Sequence, residues 1–272
     1  MTILFDGDLL VHRMCAACQE NSPFDKTVVI QADPEETWRC IEMRIEQIYA
    51  IVSDHFVGVP MEIIITFSSP DNYRKVVNPD YKSNRKGVSK PVLFADMVEK
   101  TKRLYTCEVW DNIEADDVIG ILQSEDTIIC TGDKDLLQIP GYHINMIDPE
   151  SGVFTVTEVD GIELFYKQCL SGDSVDGYYG CPKIGKKKAQ AIFDTTNPFT
   201  VWDTIVKTYE DAMSPKSKTV TNGSGSKRVV KMKPVNLGLG YQDALMTARM
   251  AYILRHESDY NRETGEVNLW TP

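Results

Sequence analysis

Thr2-Ile3-Leu4-Phe5-Asp6-Gly7-Asp8 opens the chain, and Glu62-Ile63-Ile64-Ile65-Thr66-Phe67 repeats its character farther on. Both are short apolar, β-branched runs of strand length. Between them Trp38, Ile41, Ile45, Ile48, Val52 and Phe56 recur at three- and four-residue spacing, which predicts a helix over 34–56. Asp33-Pro34-Glu35-Glu36 supplies that helix with an N-cap, a first-turn proline and first-turn acids. Strand, helix and strand in succession make a β-α-β unit, and such a unit predicts a parallel sheet.

Working outward, the pattern predicts a helix over 92–104, a strand over 107–110, a helix over 115–123 and a strand over 127–131. Strands over 142–147 and 153–157 complete a mixed sheet with helices on both faces. Beyond about residue 160 the character changes to helices and glycine-bearing turns, with helices expected over 161–170, 186–193 and 241–255. Asn222-Gly223 between Thr219-Val220-Thr221 and Lys227-Arg228-Val229-Val230 is a hairpin signal. The expected class is α/β, a central and mostly parallel mixed sheet over 1–160 followed by a helical region over 161–272. The first part contains a basic segment, 71–105; the second contains a basic hairpin, 216–233, and a C-terminal helix and tail.

Nine carboxylates stand in five clusters: Asp6 and Asp8; Glu114, Asp116 and Asp117; Asp133 and Asp135; Asp173; and Asp176. Several follow directly on the strand-like runs. In a parallel sheet these acids converge at the carboxyl edge, where α/β folds place their sites. Like charges crowded there would repel and force protonation of some members, unless divalent cations relieved them. Hard oxygen ligands select Mg²⁺ or Mn²⁺. Any one acidic pair is more often a helix cap or a loop than a ligand; five together at successive element ends are hard to assign that way.

The net charge of −11 argues superficially against nucleic acid, but its distribution argues the other way. Residues 72–95 hold six basic residues (Arg74, Lys75, Lys82, Arg85, Lys86, Lys90) and one acid, Asp80. Residues 178–190 hold Lys183, Lys186, Lys187 and Lys188 with no acid, and 216–233 hold six more basic residues, again with none. A charge run is usually a solvated face. Three such runs beside a metal-type acidic set are better read as contacts to a phosphate backbone. Seven irregularly spaced cysteines suggest reduced thiols in a cytosol, and Cys15 with Cys18 lacks the second pair that a zinc site needs. No stretch approaches the length of a membrane span, and no signal-peptide pattern opens the chain.

The motifs resemble, in order, those of the flap-endonuclease or 5′→3′ exonuclease superfamily, which includes the nuclease domain of bacterial DNA polymerase I. They are Asp6-Gly7 with Arg13, Tyr81-Lys82-Ser83-Asn84-Arg85, Glu114-Ala115-Asp116-Asp117, Asp133-Lys134-Asp135 and Gly172-Asp173-Ser174-Val175-Asp176, then the stretch from Gly180 to Ala189. The chain looks closest to the double-strand-specific 5′→3′ exonucleases of lytic bacteriophages, through Asn72-Tyr73-Arg74-Lys75, Asn78 to Lys86, Ala251 to Arg255 and Leu269-Trp270-Thr271-Pro272. The resemblance implies a PIN-like nuclease core with a helix-three-turn-helix DNA-binding region, and a phosphodiester hydrolase working from 5′ ends of double-stranded DNA. RNA primers in RNA–DNA hybrids and 5′ flaps are further substrates of that class, and for a phage protein the place of action is the host cell cytoplasm.

It further implies two Mg²⁺ or Mn²⁺ ions. Glu114, Asp116, Asp133 and Asp135 would hold one, and Asp173 and Asp176 the other. Asp117 would serve between them or behind them, and Asp6 would orient metal-bound waters. Lys82 and Arg85, three residues apart and expected on one helical face, would stabilise charge on the phosphate. Tyr81 would stack on a terminal base. Arg13, Arg74, Lys86, Lys183, Gly185, Lys186, Lys187 and Lys188 would hold the duplex backbone, and a K⁺ ion would sit among the carbonyls of the 180–189 hairpin.

Two departures from the family pattern stand out. The metal-binding Asp usual after the second strand is missing from Phe67-Ser68-Ser69-Pro70-Asp71, and Asp71 is the candidate to replace it. Lys183 stands where the hairpin usually carries glycine. Three rival readings remain open on residues alone. They are a haloacid-dehalogenase-type phosphatase built on Asp6-Gly7-Asp8, a ribonuclease of the PIN type, and a non-catalytic DNA-structure-binding module.

Overall fold

A computed structural model describes residues 1–25, 27–213, 218–221, 227–230 and 239–272. These divide into two compact units. The first comprises Met1–Tyr73, Gly87–Gly161 and Ile253–Asn268, the second Arg74–Lys86, Ile162–Tyr252 and Leu269–Pro272. Segment 74–86, expected with the core, therefore clusters with the second unit.

In the first unit the elements run β1 (Thr2–Asp6), α1 (Gly7–Ala17), β2 (Gln19–Phe24), β3 (Thr27–Ala32), α2 (Pro34–His55) and β4 (Glu62–Thr66). A short α3 (Tyr73–Val77) lies at the boundary; α4 (Phe94–Leu104), β5 (Cys107–Glu108), α5 (Ala115–Leu122), β6 (Thr127–Thr131), β7 (Gly141–Asn145) and β8 (Val153–Val156) follow. The six-stranded sheet has the order β5-β4-β1-β6-β7-β8. All pairs are parallel except β7 with β8, so the sheet is mixed as expected.

Alternation along β1 explains the helices on both faces. Ile3 and Phe5 enter one core with Leu10 and Val11 of α1, Ile41, Ile45, Ile48 and Val52 of α2, and Met97 of α4. Leu4 points the other way, into a second core with Ile119 of α5, Ile129, Leu136, Ile139 and Ile253. Each such burial contributes roughly 1.5–3 kcal/mol relative to exposure. Asp33 caps α2 by accepting from the Glu35 and Glu36 N–H groups at 2.8 and 2.9 Å. At the start of α1 a side chain on Gly7 would lie 2.7 Å from Ile65, Thr66 and Phe67, so glycine is what lets this helix begin against β4.

β5 is shorter than expected because Trp110 leaves the strand to stack on Tyr260, ring centres 5.6 Å apart. The β2–β3 hairpin was not expected; Phe24, Val28, Val29 and Ile30 are exposed on it.

The second unit is helical. α6 (Glu158–Ser171) crosses the unit boundary, and β9 (Gly172–Asp173), β10 (Tyr178–Tyr179), α7 (Lys186–Asp194), α8 (Val201–Met213), β11 (Lys218–Thr221), β12 (Lys227–Val230) and α9 (Leu239–Ala251) follow. α8 has no counterpart among the sequence expectations; its Tyr209 hydroxyl donates to the Cys169 carbonyl at 2.8 Å and lies 3.0 Å from the Thr247 hydroxyl. β11 and β12 pair antiparallel, as the expected hairpin requires, while its Asn222-Gly223 turn lies outside the described residues. β13 (Tyr260–Asn261) and β14 (Glu266–Val267) form a last small ribbon in the first unit. Among the described residues no helix is long and apolar enough to cross a membrane.

Candidate active site

The carboxyl edge of the first unit's sheet carries its acids. Asp6 ends β1, is almost fully buried, and caps α1 by accepting from the Leu9 N–H at 3.0 Å. Its second oxygen accepts from the Thr131 hydroxyl at 2.9 Å, at the end of the neighbouring β6. Burial pushes the Asp6 carboxyl up from 3.8 to about 7; the charges of Asp8 and Asp133 push the same way, against the Leu9 and Thr131 hydrogen bonds.

The same Thr131 hydroxyl accepts from the Asp133 N–H at 3.0 Å, and Asp133 accepts from the Asp135 N–H at 2.9 Å. Asp8 reaches across to β4, where its Oδ2 accepts from the Ser68 N–H at 2.8 Å. Ser68 in turn accepts, through Oγ, from the Ala115 N–H at 3.1 Å in the first turn of α5. Thus the ends of β1, β4 and β6 and the start of α5 are linked through short side chains. The positive end of α5 adds a further attraction for acids there.

Asp117 is fully buried, its Oδ2 accepting from the Glu114 N–H at 3.2 Å and its Oδ1 from the Leu254 N–H at 3.1 Å. Asp71 is exposed on the turn after β4, with its N–H on the Ser69 hydroxyl at 3.4 Å. The carboxylate found at the end of β4 is that of Asp8, a residue to which the sequence assigned no role. No local signal points to it: the pairing of β1 with β4 ends at Asp6 opposite Thr66, and Asp8 already lies in the first turn of α1.

The donors fit a hard divalent cation in kind, since all are carboxylate oxygens. Their present arrangement is not a closed cage: among the described residues no group of three or more His, Cys, Asp or Glu is placed to hold a metal ion. An ion would have to draw the carboxylates inward.

In the second unit the acids and the basic segment are joined. Asp176 accepts from Arg85 at 2.6 Å and from the Tyr81 hydroxyl at 3.2 Å, with the Lys82 ammonium 3.7 Å away. The Lys82 N–H donates to the Asp176 carbonyl at 2.8 Å. Asp173 accepts from the Val175 N–H at 2.7 Å and so bends the loop between β9 and β10.

Three expectations for this segment are corrected. Lys82 and Arg85 do not share a helical face: residues Ser83–Arg85 form a 3₁₀ turn, and Lys82 precedes it at φ 53°, in the left-handed region. Both reach one carboxylate instead. The Tyr81 ring is buried, so it has no face for a base. Arg74 is buried too, its guanidinium donating to the carbonyls of Met250 and Tyr252 at 3.1 and 2.7 Å, and so it is a structural tie rather than a phosphate contact.

The basic hairpin is anchored by Cys181, whose N–H donates to the Leu170 carbonyl at 2.8 Å. Lys183 takes φ 67° itself, the conformation for which glycine is usual. Its carbonyl accepts from the Lys188 ammonium at 2.9 Å. Gly185 precedes α7, and Lys186, Lys187 and Lys188 are exposed in the first turn. Arg13 on α1 and Lys86 are likewise exposed.

Residues 1–167 match the family model described as 5′-3′ exonuclease, N-terminal resolvase-like domain. The chain is 29% identical to an exodeoxyribonuclease of Enterobacteria phage T3, over 99% of this chain and 92% of that protein. It is 27% identical to an exonuclease of Escherichia phage T7, over 99% and 93%. Among solved structures, the zinc-bound 5′-exonuclease of phage T5 superposes with a TM-score of 0.55 at 13% identity, covering 95% of both chains. The phage T5 flap endonuclease in complex with DNA and metal ions superposes at 0.54 and 12% identity, covering 92% of both. These structures share the fold.

Proposed function

The chain belongs to the 5′-3′ exonuclease family, and we propose that it is a divalent-metal-dependent exodeoxyribonuclease degrading duplex DNA from 5′ ends by phosphodiester hydrolysis. The observation that carries the reading is the linked acidic edge of the sheet, where Thr131 joins Asp6 to Asp133, Asp8 reaches over to Ser68, and the charges of Asp8 and Asp133 add to the burial that raises the Asp6 pKa. Such crowding is costly without a cation and useful with one. Glu114, Asp116, Asp133 and Asp135 would hold one Mg²⁺ or Mn²⁺, and Asp173 and Asp176 a second. Bound there, divalent ions supply an acidified water and neutralise charge on the phosphate.

The residues of the chain do the rest. Asp6, fixed by Leu9 and Thr131, orients water through whichever lone pairs those bonds leave. Lys82 and Arg85 transfer from Asp176 to the phosphate and stabilise the charge that develops on it. Lys186 and Lys187 hold the duplex backbone without reading sequence. Lys188 already places its ammonium on the hairpin turn, so a K⁺ ion there would be left with carbonyls other than that of Lys183. RNA–DNA hybrids and 5′ flaps are further substrates in this reading, and the host cytoplasm its setting.

Mg²⁺-dependent release of nucleotides from 5′-labelled duplex, with single-stranded RNA as the control, tests the class. Lys82→Ala tests the chemistry. Single-turnover cleavage should fall by roughly 10²-fold, the scale for losing one charge-stabilising group. Duplex affinity measured in Ca²⁺ should barely change. Affinity lost with the saturated rate intact would make Lys82 a docking residue.

A further inference from the structure

Asn84 lies between Lys82 and Arg85 and carries no charge, yet its side chain ties their segment to the acid loop twice. Its Nδ2 donates to the carbonyls of Ser174 at 3.1 Å and of Val175 at 3.0 Å. Those carbonyls sit in the bend between β9 and β10, outside the ladder that pairs Tyr178 with Asp173. A primary amide on a short stem has two N–H donors in one plane, one for each carbonyl; serine has one donor and aspartate none.

The two backbones are also in contact. A side chain on Gly177, at φ 75°, would stand 3.2 Å from the Asp80 carbonyl and 3.3 Å from the Lys82 nitrogen. Lys82 itself is held in the left-handed region, which L-residues avoid and which persists only where the surroundings over-determine it.

We infer that Asn84 is a positioning residue, locking the Asp173–Gly177 loop to the Tyr81–Arg85 segment so that Lys82 and Arg85 stay placed when a substrate phosphate draws them off Asp176. The ionic ties to Asp176 compete with the phosphate for the same cations. The amide ties do not, because they engage carbonyls that the substrate does not need. This rests on the reading of Lys82 and Arg85 given above.

Single-turnover rates at saturating duplex and duplex affinity in Ca²⁺ are measured for Asn84→Ala, Asn84→Asp, Lys82→Ala and the Lys82→Ala/Asn84→Ala double variant. Asn84 is exposed, and aspartate matches its size, so the folded state is retained. Asn84→Ala should slow the saturated rate about tenfold, within the range for a small misplacement of reacting groups, with affinity unchanged. Asn84→Asp should be slower still, since its carboxylate would face two carbonyl oxygens. The double variant should be slowed by less than the product of the two single effects, because with Lys82 gone only Arg85 is left for Asn84 to place.

An unchanged rate for Asn84→Ala, a loss confined to affinity, or effects that multiply in the double variant would each overturn the inference. A fully active Lys82→Ala enzyme would instead remove the reading of Lys82 beneath it, and that result is visible in the single variant alone.

Discussion

Asp117 shows how little a carboxylate's position in a motif says about its work. It stands in the acidic run Glu114-Ala115-Asp116-Asp117, yet it is wholly buried and ties the start of α5 to Leu254 through two backbone N–H groups. Asp117→Asn would turn one acceptor into a donor facing an N–H. Leaving such a pair unsatisfied costs about 1–3 kcal/mol, so urea unfolding in EDTA should show that loss. Asp116→Asn, on the partly exposed side of the same turn, should stay within about 0.5 kcal/mol of the parent while slowing cleavage. Parental stability for Asp117→Asn with cleavage abolished would return Asp117 to the metal.

At the scale of elements, the turn into α7 keeps the shape that glycine would give it, although lysine occupies the position. The left-handed conformation of Lys183 costs roughly 1–2 kcal/mol. Lys183→Gly relieves that strain but adds about 0.5–1 kcal/mol of chain entropy to the unfolded state. The thermal midpoint should therefore rise, by up to roughly 6 °C. The bond from Lys188 goes to a backbone carbonyl and survives the change. A fall in the midpoint would show that the Lys183 side chain itself anchors the turn.

Elements were legible where neighbours along the chain set them. α2 could be read from the Asp33-Pro34 start and its apolar spacing, and β1, β4 and β6 from runs buried on both faces. The β2–β3 hairpin was not, because its apolar residues are exposed and Pro23 breaks the strand pattern. The shared helical face expected of Lys82 and Arg85 is absent, and the Ser83–Arg85 turn is instead bonded through Asn84 to the Asp173–Gly177 loop, some ninety residues away.

For the whole molecule, a net charge of −11 and the crowding around Asp6 predict that divalent cations stabilise the fold. Thermal midpoints compared in EDTA, Mg²⁺ and Mn²⁺ should rise with either metal, by about 2–4 °C per kcal/mol of binding linkage for a chain of this order of size. No rise with either would count heavily against a carboxylate-lined metal site. By itself the sequence determined the α/β class, the direction of the sheet, and the family motifs that bring acids to its carboxyl edge. Hydrophobic period and capping act over a few residues, so they can be read without the fold. Only the tertiary structure decided that Asp8 meets Ser68, that Asp117 holds Leu254, that Arg74 is buried on Met250 and Tyr252, and that Asp176 gathers Lys82 and Arg85. A charged side chain has the same chemistry wherever it stands. Its task is set by desolvation and by the partner within hydrogen-bond reach, and for these residues that partner lies 60 to 178 positions away along the chain.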